Sequence, residues 1–215
     1  MNPDINDFST TEEIWHALTH GVGLILSIAG LVILIIASAL HSNAIGITAS
    51  TIYGSTLIIM YGSSTLYHAS KKQKIKKIFQ TFDHASIYFL IAGTYTPMTL
   101  VTLNGGWGWS FFGVSWGIAA FGTLLKFLYP RRFERLSLLL YVVMGWMLII
   151  AADPILHSMP TGGLILLLIG GLFYSFGIIF YVKDNKNFFH TIWHFFVLAG
   201  SISHYFMTLF YIILK

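Results

Sequence analysis

Histidine is the residue type of this chain best suited to chemistry, and several histidines are regularly spaced. The chain has nine histidines and no cysteine, so a metal site would use nitrogen and oxygen ligands instead of thiolates. His190 and His194 are four residues apart, as are His16 and His20, and residues at this spacing share one face of a helix. Such pairs also arise by chance, so each pair alone indicates at most half of a metal site.

A third imidazole and a carboxylate complete the pattern. His68 precedes a lysine-rich segment and Asp83 follows it, so both are expected at the same depth as the pair His190 and His194. Two imidazoles from one helix and a third from another supply the three neutral ligands of a catalytic zinc site, whose fourth position stays open to water. Asp83 is then placed to accept a hydrogen bond from that water. Three other histidines are interpreted as structural: His41, His157 and His204.

The elements that must position these residues are membrane helices. Of the 215 residues, 56% are hydrophobic and 9% are charged, against about 25% charged in a soluble domain, and the mean hydropathy is +0.75. This composition excludes a water-soluble globule, a disordered chain, a fibrous repeat and a nucleic-acid-binding protein. Seven apolar runs are long enough to cross a bilayer: 17–40, 44–68, 80–103, 107–128, 136–152, 161–182 and 190–214. The sequence therefore predicts an all-α, seven-transmembrane helix bundle.

The domain organisation follows from the length. Seven helices of about 20 residues need roughly 140 positions, which leaves only short connections. We expect one transmembrane domain over residues 17–215, preceded by a short cytoplasmic tail, residues 1–16. The tail has acidic residues and no Lys or Arg up to residue 13, unlike a signal peptide. Small residues at packing intervals in the sixth run are expected to let neighbouring helices approach closely: Gly163, Gly170 and Gly177.

The basic residues predict the orientation. Ten of the twelve Lys and Arg residues lie in the second, fourth and sixth connections: Lys71, Lys72, Lys74, Lys76, Lys77, Arg131, Arg132, Arg135, Lys183 and Lys186. By the positive-inside rule these connections are cytoplasmic, which puts the N-terminus inside and the C-terminus outside in a multi-pass protein of the plasma membrane. Six of the nine histidines then lie at cytoplasmic helix ends. Ionisable groups at membrane depth are costly and usually functional.

Four short motifs follow one another along the chain: Glu13-Ile-Trp-His-Ala-Leu-Thr-His20-Gly, Ser64-Thr-Leu-Tyr-His68, Phe82-Asp83-His84 with Ala92-Gly-Thr-Tyr-Thr-Pro97, and His190-Thr-Ile-Trp-His194. Together they resemble the hemolysin III branch of the PAQR family, which includes the adiponectin and progestin receptors and is related to the alkaline ceramidases. The resemblance covers nearly the whole chain. It also implies the inside N-terminus already predicted from charge.

The resemblance implies that His68, His190 and His194 are zinc ligands, that Asp83 holds the water on the zinc ion, and that Ser64 lies beside the metal. One departure is visible, because receptor-like members commonly carry Asn where this chain has His16. Two roles stay open for His16 and His20. They either form hydrogen bonds within the bundle or supply a second, weaker metal position.

The function that we expect is zinc-dependent hydrolysis of a lipid amide or ester near the cytoplasmic leaflet. Asp83 would act as general base, and Ser64 would donate a hydrogen bond to the developing oxyanion. A membrane lipid is the expected partner, and ceramide-like substrates follow only from the ceramidase relatives. One alternative is a membrane-state sensor of the receptor type, in which a structural zinc ion clamps helices together. A pore-forming cytolysin has less support, because a pore needs polar residues through the full membrane thickness.

Overall fold

The computed structural model describes residues 8–215, which form only helices and short connections. Within this range seven helical segments are long and apolar enough to cross a membrane. The predicted all-α, seven-helix bundle is therefore confirmed. The helices are α1 (Thr10–His41), α2 (Ala44–Ala69), α3 (Gln73–Pro97), α4 (Gly105–Leu128), α5 (Glu134–Trp146), α6 (Ala152–Ser158), α7 (Thr161–Val182) and α8 (Phe189–Thr208).

Three segments of altered helical pitch extend these helices. A 3₁₀ segment, Met147–Ala151, joins α5 to α6, so that the two make a single fifth span. Wider π-helical turns continue α3 over Met98–Leu103 and α8 over Leu209–Ile213. Helix α1 begins at Thr10, so the second half of the predicted tail is already helical. Residues 1–7 of that tail lie outside the described residues.

The start of α1 is fixed by a capping box. The Ser9 hydroxyl accepts a hydrogen bond from the Glu12 N–H, and the Glu12 carboxylate accepts one from the Ser9 N–H, at 3.3 and 3.0 Å. These bonds satisfy N–H groups that a helix start leaves unpaired. The Glu12 carboxylate also accepts a hydrogen bond of 2.8 Å from the N–H of Phe188, the residue before α8. Glu12 therefore ties the start of α1 to the start of α8.

Side-chain ion pairs join other helix ends at the same end of the bundle. Lys76 at the start of α3 pairs with Glu13 of α1, and Lys126 at the end of α4 pairs with Glu134 of α5 at 2.6 Å. We call this the basic end, because it carries the connections 70–72, 129–133 and 183–188. Which side of the membrane it faces stays a prediction.

The helices are not packed equally tightly. Helix α1 packs along α2, α2 along α3, and α7 along α8, whereas α5 makes few close approaches to any neighbour. The larger part of the core lies between α1, α2, α3 and α8 and includes Tyr53, Met98 and Met207. The loose position of α5 leaves room for an internal space beside α3, α7 and α8.

The three glycines of α7 lie against side chains of neighbouring segments. A Cβ atom on Gly170 would come within 2.3 Å of the His204 ring, and one on Gly163 within 2.8 Å of Met159. A Cβ atom on Gly177 would lie 2.8 Å from both Phe196 Cβ and Trp193 Cε3 of α8. The absence of side chains on Gly170 and Gly177 therefore allows α7 and α8 to approach closely, as the sequence predicted.

Gly177→Ala should destabilise the bundle, because the new methyl group overlaps a tryptophan ring in a packed interface. We expect a loss of about 1–3 kcal/mol in the free energy of unfolding, measured by thermal or denaturant unfolding in detergent. Gly117→Ala is the matched control, since its new Cβ would have no described atom within 4 Å apart from its chain neighbours and the adjacent backbone of its own helix. Equal stability of the two variants would contradict this account of the interface.

Candidate metal centre

Three imidazoles meet near the basic end. His68 is at the end of α2, and His190 and His194 lie one turn apart at the start of α8. One ligand nitrogen from each ring lies within 4.8 Å of the other two, and all three side chains are buried. The structure thus brings together the three histidines that the sequence proposed as metal ligands.

A hydroxyl group orients the His194 ring. Thr19 Oγ1 lies 3.0 Å from His194 Nδ1 and also 2.9 Å from the carbonyl oxygen of Trp15. The carbonyl can only accept a hydrogen bond, so the hydroxyl proton goes to it and the hydroxyl oxygen accepts from Nδ1–H. This arrangement leaves the lone pair of His194 on Nε2, the nitrogen free to bind a metal ion.

A carboxylate orients the His68 ring in the same way. His68 Nδ1 lies 2.7 Å from Glu13 Oε2, so Nδ1–H donates to the carboxylate and the lone pair stays on Nε2. His68 Nε2 is buried and has no hydrogen-bond partner among the described residues. His190 Nδ1 lies 3.8 Å from Asp184 Oδ2, which is near enough for an ion-pair contact but too far for a hydrogen bond. Such outer partners are typical of histidines that bind metals.

The donor set fits a divalent metal ion. Neutral imidazole nitrogens suit zinc, copper, nickel and iron, whereas calcium and magnesium prefer oxygen. A buried nitrogen without a partner is also costly unless something binds it, and His68 Nε2 is such an atom. The described residues can therefore hold a metal ion through His68, His190 and His194.

A cavity of about 410 Å³ adjoins this group. Four residues at its polar end are Ser64, Asp83, His190 and His194. Ser64 is buried on α2, one turn before His68, and Asp83 is partly buried on α3. The rest of the wall is mainly apolar and comes from α3, α5, α6, α7 and α8. The two residues that the sequence proposed as catalytic thus lie in one cavity with two of the proposed ligands.

His16 and His20 join the same cluster. The His20 ring stacks on the His194 ring, with centroids 3.5 Å apart and planes inclined by 9°. The His16 ring lies 4.7 Å from the His68 ring and 4.8 Å from the His190 ring. Both side chains are buried, and none of their ring nitrogens bonds to a described residue. The proposed hydrogen-bonding role therefore has no support in the described part of the chain.

The three histidines interpreted as structural lie away from the cluster. His41 and His157 are exposed, and His157 Nδ1–H donates a hydrogen bond of 2.8 Å to the carbonyl oxygen of Asp153 one turn earlier. His204 is buried on α8, where its Nε2 lies 3.1 Å from the Leu167 carbonyl oxygen. It also lines the part of the cavity away from Asp83.

The sequence pattern did not mark Glu13, Thr19 or Asp184 as site residues. Glu13 and Thr19 stand three residues before and after His16 in α1, and this helical spacing was the available signal. Each contacts a ring from another helix, at sequence separations of 55 and 175 residues. Asp184 gave no signal beyond its place in the connection before α8.

The fold and the site define a class of protein, a multi-pass membrane protein with a buried histidine cluster at one end. Residues 8–205 match the family described as haemolysin-III related. The chain is 45% identical to Hemolysin-3 of Bacillus cereus over 202 residues, which cover 94% of this chain and 92% of that protein. It is also 45% identical to the Hemolysin-3 homolog of Bacillus subtilis (strain 168) over 204 residues, 95% of this chain and 96% of that protein.

The chain is also similar, at lower identity, to an animal protein. The human Monocyte to macrophage differentiation factor is 33% identical over 162 residues, 72% of this chain and 66% of that protein. The chain therefore belongs to the haemolysin-III related family of PAQR proteins.

Thr19→Val should weaken metal binding, because the His194 ring loses the hydroxyl that fixes its tautomer. We expect the dissociation constant to rise about 10- to 100-fold, measured by competition with a chromogenic chelator. Thr51→Val on the exposed face of α2 is the control, since its hydroxyl bonds only to the Ile47 carbonyl among the described residues. Unchanged affinity in Thr19→Val would show that this hydroxyl does not position a ligand.

Proposed function

We propose that the protein is a zinc-dependent hydrolase of a lipid amide or ester. The observation that carries the proposal is the single cavity that joins His190 and His194 to Asp83 and Ser64 and continues along an apolar wall. The polar end of the cavity suits the polar headgroup of a lipid, and its long apolar wall suits an acyl chain.

The size and position of the cavity suit a lipid from the bilayer. Its volume of about 410 Å³ lies within the usual range for ligand sites, roughly 300–1,000 Å³. Two residues of its wall, Ile149 and Leu168, are 65% and 54% exposed. These residues stand on the fifth span and on α7, so we infer that the cavity opens sideways between them. An acyl chain would enter there without crossing water.

Zinc is the ion that best suits three neutral imidazole ligands with a fourth coordination position open to water. A zinc ion at this site would supply a Lewis acid and would lower the pKa of a water at its open position to about 7. His68, His190 and His194 would hold the ion. Glu13 and Thr19 would hold two of those rings in the required tautomer.

The protein's own groups would then move the protons. Asp83 takes a proton from the water as its oxygen adds to the substrate carbonyl, and Ser64 donates a hydrogen bond to the carbonyl oxygen as negative charge develops. The proton on Asp83 passes to the departing nitrogen or oxygen as the carbon–nitrogen or carbon–oxygen bond breaks. The products are a carboxylic acid and an amine or alcohol. The relationship to alkaline ceramidases favours a ceramide-like amide as the substrate.

We propose that the basic end faces the cytoplasm and that the protein lies in the plasma membrane. The basic connections define this orientation by the positive-inside rule. His16 lies six residues into α1, about 9 Å from its first residue at the helical rise. The site is thus one or two turns from the basic end, near the depth at which a lipid changes from polar to apolar.

Metal analysis of the purified protein tests the ligand set. Wild type should retain about one equivalent of zinc after desalting, and His68→Ala, His190→Ala and His194→Ala should each lose it, because two imidazoles bind zinc far more weakly than three. His41→Ala and His157→Ala, two exposed positions, should keep the wild-type amount. An unchanged zinc content in the three ligand variants would refute the site.

Activity tests the role of Asp83. Zinc-loaded wild type in lipid nanodiscs should release fatty acid from a ceramide or an ester lipid. Asp83→Asn should keep the zinc and lower kcat by about 10²- to 10⁴-fold, the usual contribution of a general base. Asp153→Asn, at an exposed position of α6, is the control.

The structural alternative predicts a different outcome. If zinc only clamps helices, Asp83→Asn keeps both zinc and function, and His194→Ala unfolds the protein. Absence of hydrolysis across a panel of amide and ester lipids by zinc-loaded wild type would also overturn the hydrolase proposal.

A further inference from the structure

Within the histidine cluster, His16 is one of two buried histidines, with His20, that the proposed reaction does not use. Its side chain is 0% exposed, and neither ring nitrogen has a hydrogen-bond partner among the described residues. Burying polar nitrogens without partners costs free energy. Packing against other imidazole rings does not replace the missing hydrogen bonds. A ligand that binds a nitrogen of His16 for at least part of the time would offset this free-energy penalty.

His16 belongs to a second group of potential metal ligands. A nitrogen of His16, a nitrogen of His68 and a carboxylate oxygen of Glu13 lie within 4.8 Å of one another. Two imidazoles and one carboxylate are a common ligand set for borderline divalent metals. This group shares His68 with the group formed by His68, His190 and His194.

The two groups differ in how accessible their ligands are. The Glu13 side chain is 14% exposed, whereas the side chains of His68 and His190 are 0% and 8% exposed. The Phe8 ring, which precedes α1, covers the His16 and His190 rings at 4.7 and 4.9 Å. Glu13 also pairs with Lys76 near the start of α3, so the group with Glu13 provides the more accessible ligand at the basic end. We call the more buried group of three histidines the deeper position.

The charges around Glu13 make this second group the weaker one. Lys76 pairs with Glu13 Oε1, and its ammonium repels a metal cation at short range. Glu13 Oε2 is also engaged by His68 Nδ1 at 2.7 Å, and that bond must break before either atom binds metal. The group with three histidines has no such competitor at His68 Nε2.

We propose that Glu13, His16 and His68 form a second, lower-affinity position for a divalent metal ion, through which the ion reaches and leaves the position at His68, His190 and His194. The inference rests on the metal centre of the proposed function but not on its hydrolytic chemistry. The shared His68 ring lets the ion exchange ligands one at a time. A cation that moves in this way is never left unpaired in a medium of low dielectric.

The first test measures the second position alone. In His190→Ala/His194→Ala the residues Glu13, His16 and His68 are intact, and titration with Co²⁺ or Zn²⁺ should show about one equivalent, bound at least tenfold more weakly than by wild type. Adding His16→Gln should lower the remaining affinity by a further factor of about ten or more. Equal binding by the double and triple variants would overturn the proposal. Wild-type affinity in the double variant would instead contradict the three-histidine centre.

The second test leaves all three proposed ligands of the deeper position in place. His16→Gln alone should slow both zinc uptake and zinc release to a chelator by about tenfold. The equilibrium affinity should not change, because a position through which the ion passes in both directions alters the two rates equally. Stopped-flow mixing with a fluorescent chelator measures both rates. His20→Gln is the matched control, since His20 is equally buried and unpartnered among the described residues but lies outside the second group.

The outcomes separate the possible roles of His16. Equal rates in wild type and His16→Gln would overturn the proposal, even if the double variant failed to fold. Lower equilibrium affinity with unchanged uptake would also overturn it and would make His16 a fourth ligand of the deeper position. Neither measurement uses hydrolysis, so a failure of the hydrolase proposal leaves both readouts intact.

Discussion

Burying an imidazole costs free energy unless its nitrogens find partners, and this constraint governs how the helix ends meet at the basic end. Five histidines lie there side by side, listed along the chain as His16, His20, His68, His190 and His194. Two rings are fixed through Nδ1 by groups on α1, Glu13 for His68 and Thr19 for His194. Their Nε2 atoms are left available, so the cluster could hold a metal ion.

Helix α1 is the element on which this arrangement depends. It supplies the carboxylate and the hydroxyl that orient the rings of α2 and α8, and its Glu12 holds the backbone at Phe188, just before α8 begins. Phe188 has a positive φ of 61°, a conformation that non-glycine residues adopt at some cost. The hydrogen bond from its N–H to Glu12 helps to hold that conformation. Its position also sets where His190 lies relative to His68.

The looseness of the fifth span complements this rigid end. Because α5 approaches its neighbours at few points, a cavity persists between tightly packed pairs of helices. Tyr95 and Tyr141 bridge it locally through hydrogen bonds to backbone carbonyls, from Tyr95 to Met144 and from Tyr141 to His84, both at 2.7 Å. The structure thus combines a fixed polar end with an adjoining, mainly apolar space.

The sequence by itself determined the seven helices and the residues most able to bind a metal, because hydropathy and helical spacing are local properties of the chain. It placed His190 and His194 on one face and put His68 and Asp83 at a similar depth. Only the tertiary structure decided which atoms face each other. The partners Glu13 and Thr19, the burial of His16 without a hydrogen bond, and the cavity all depend on how each helix is rotated about its axis. That rotation results from packing many side chains at once, so no single segment of sequence specifies it.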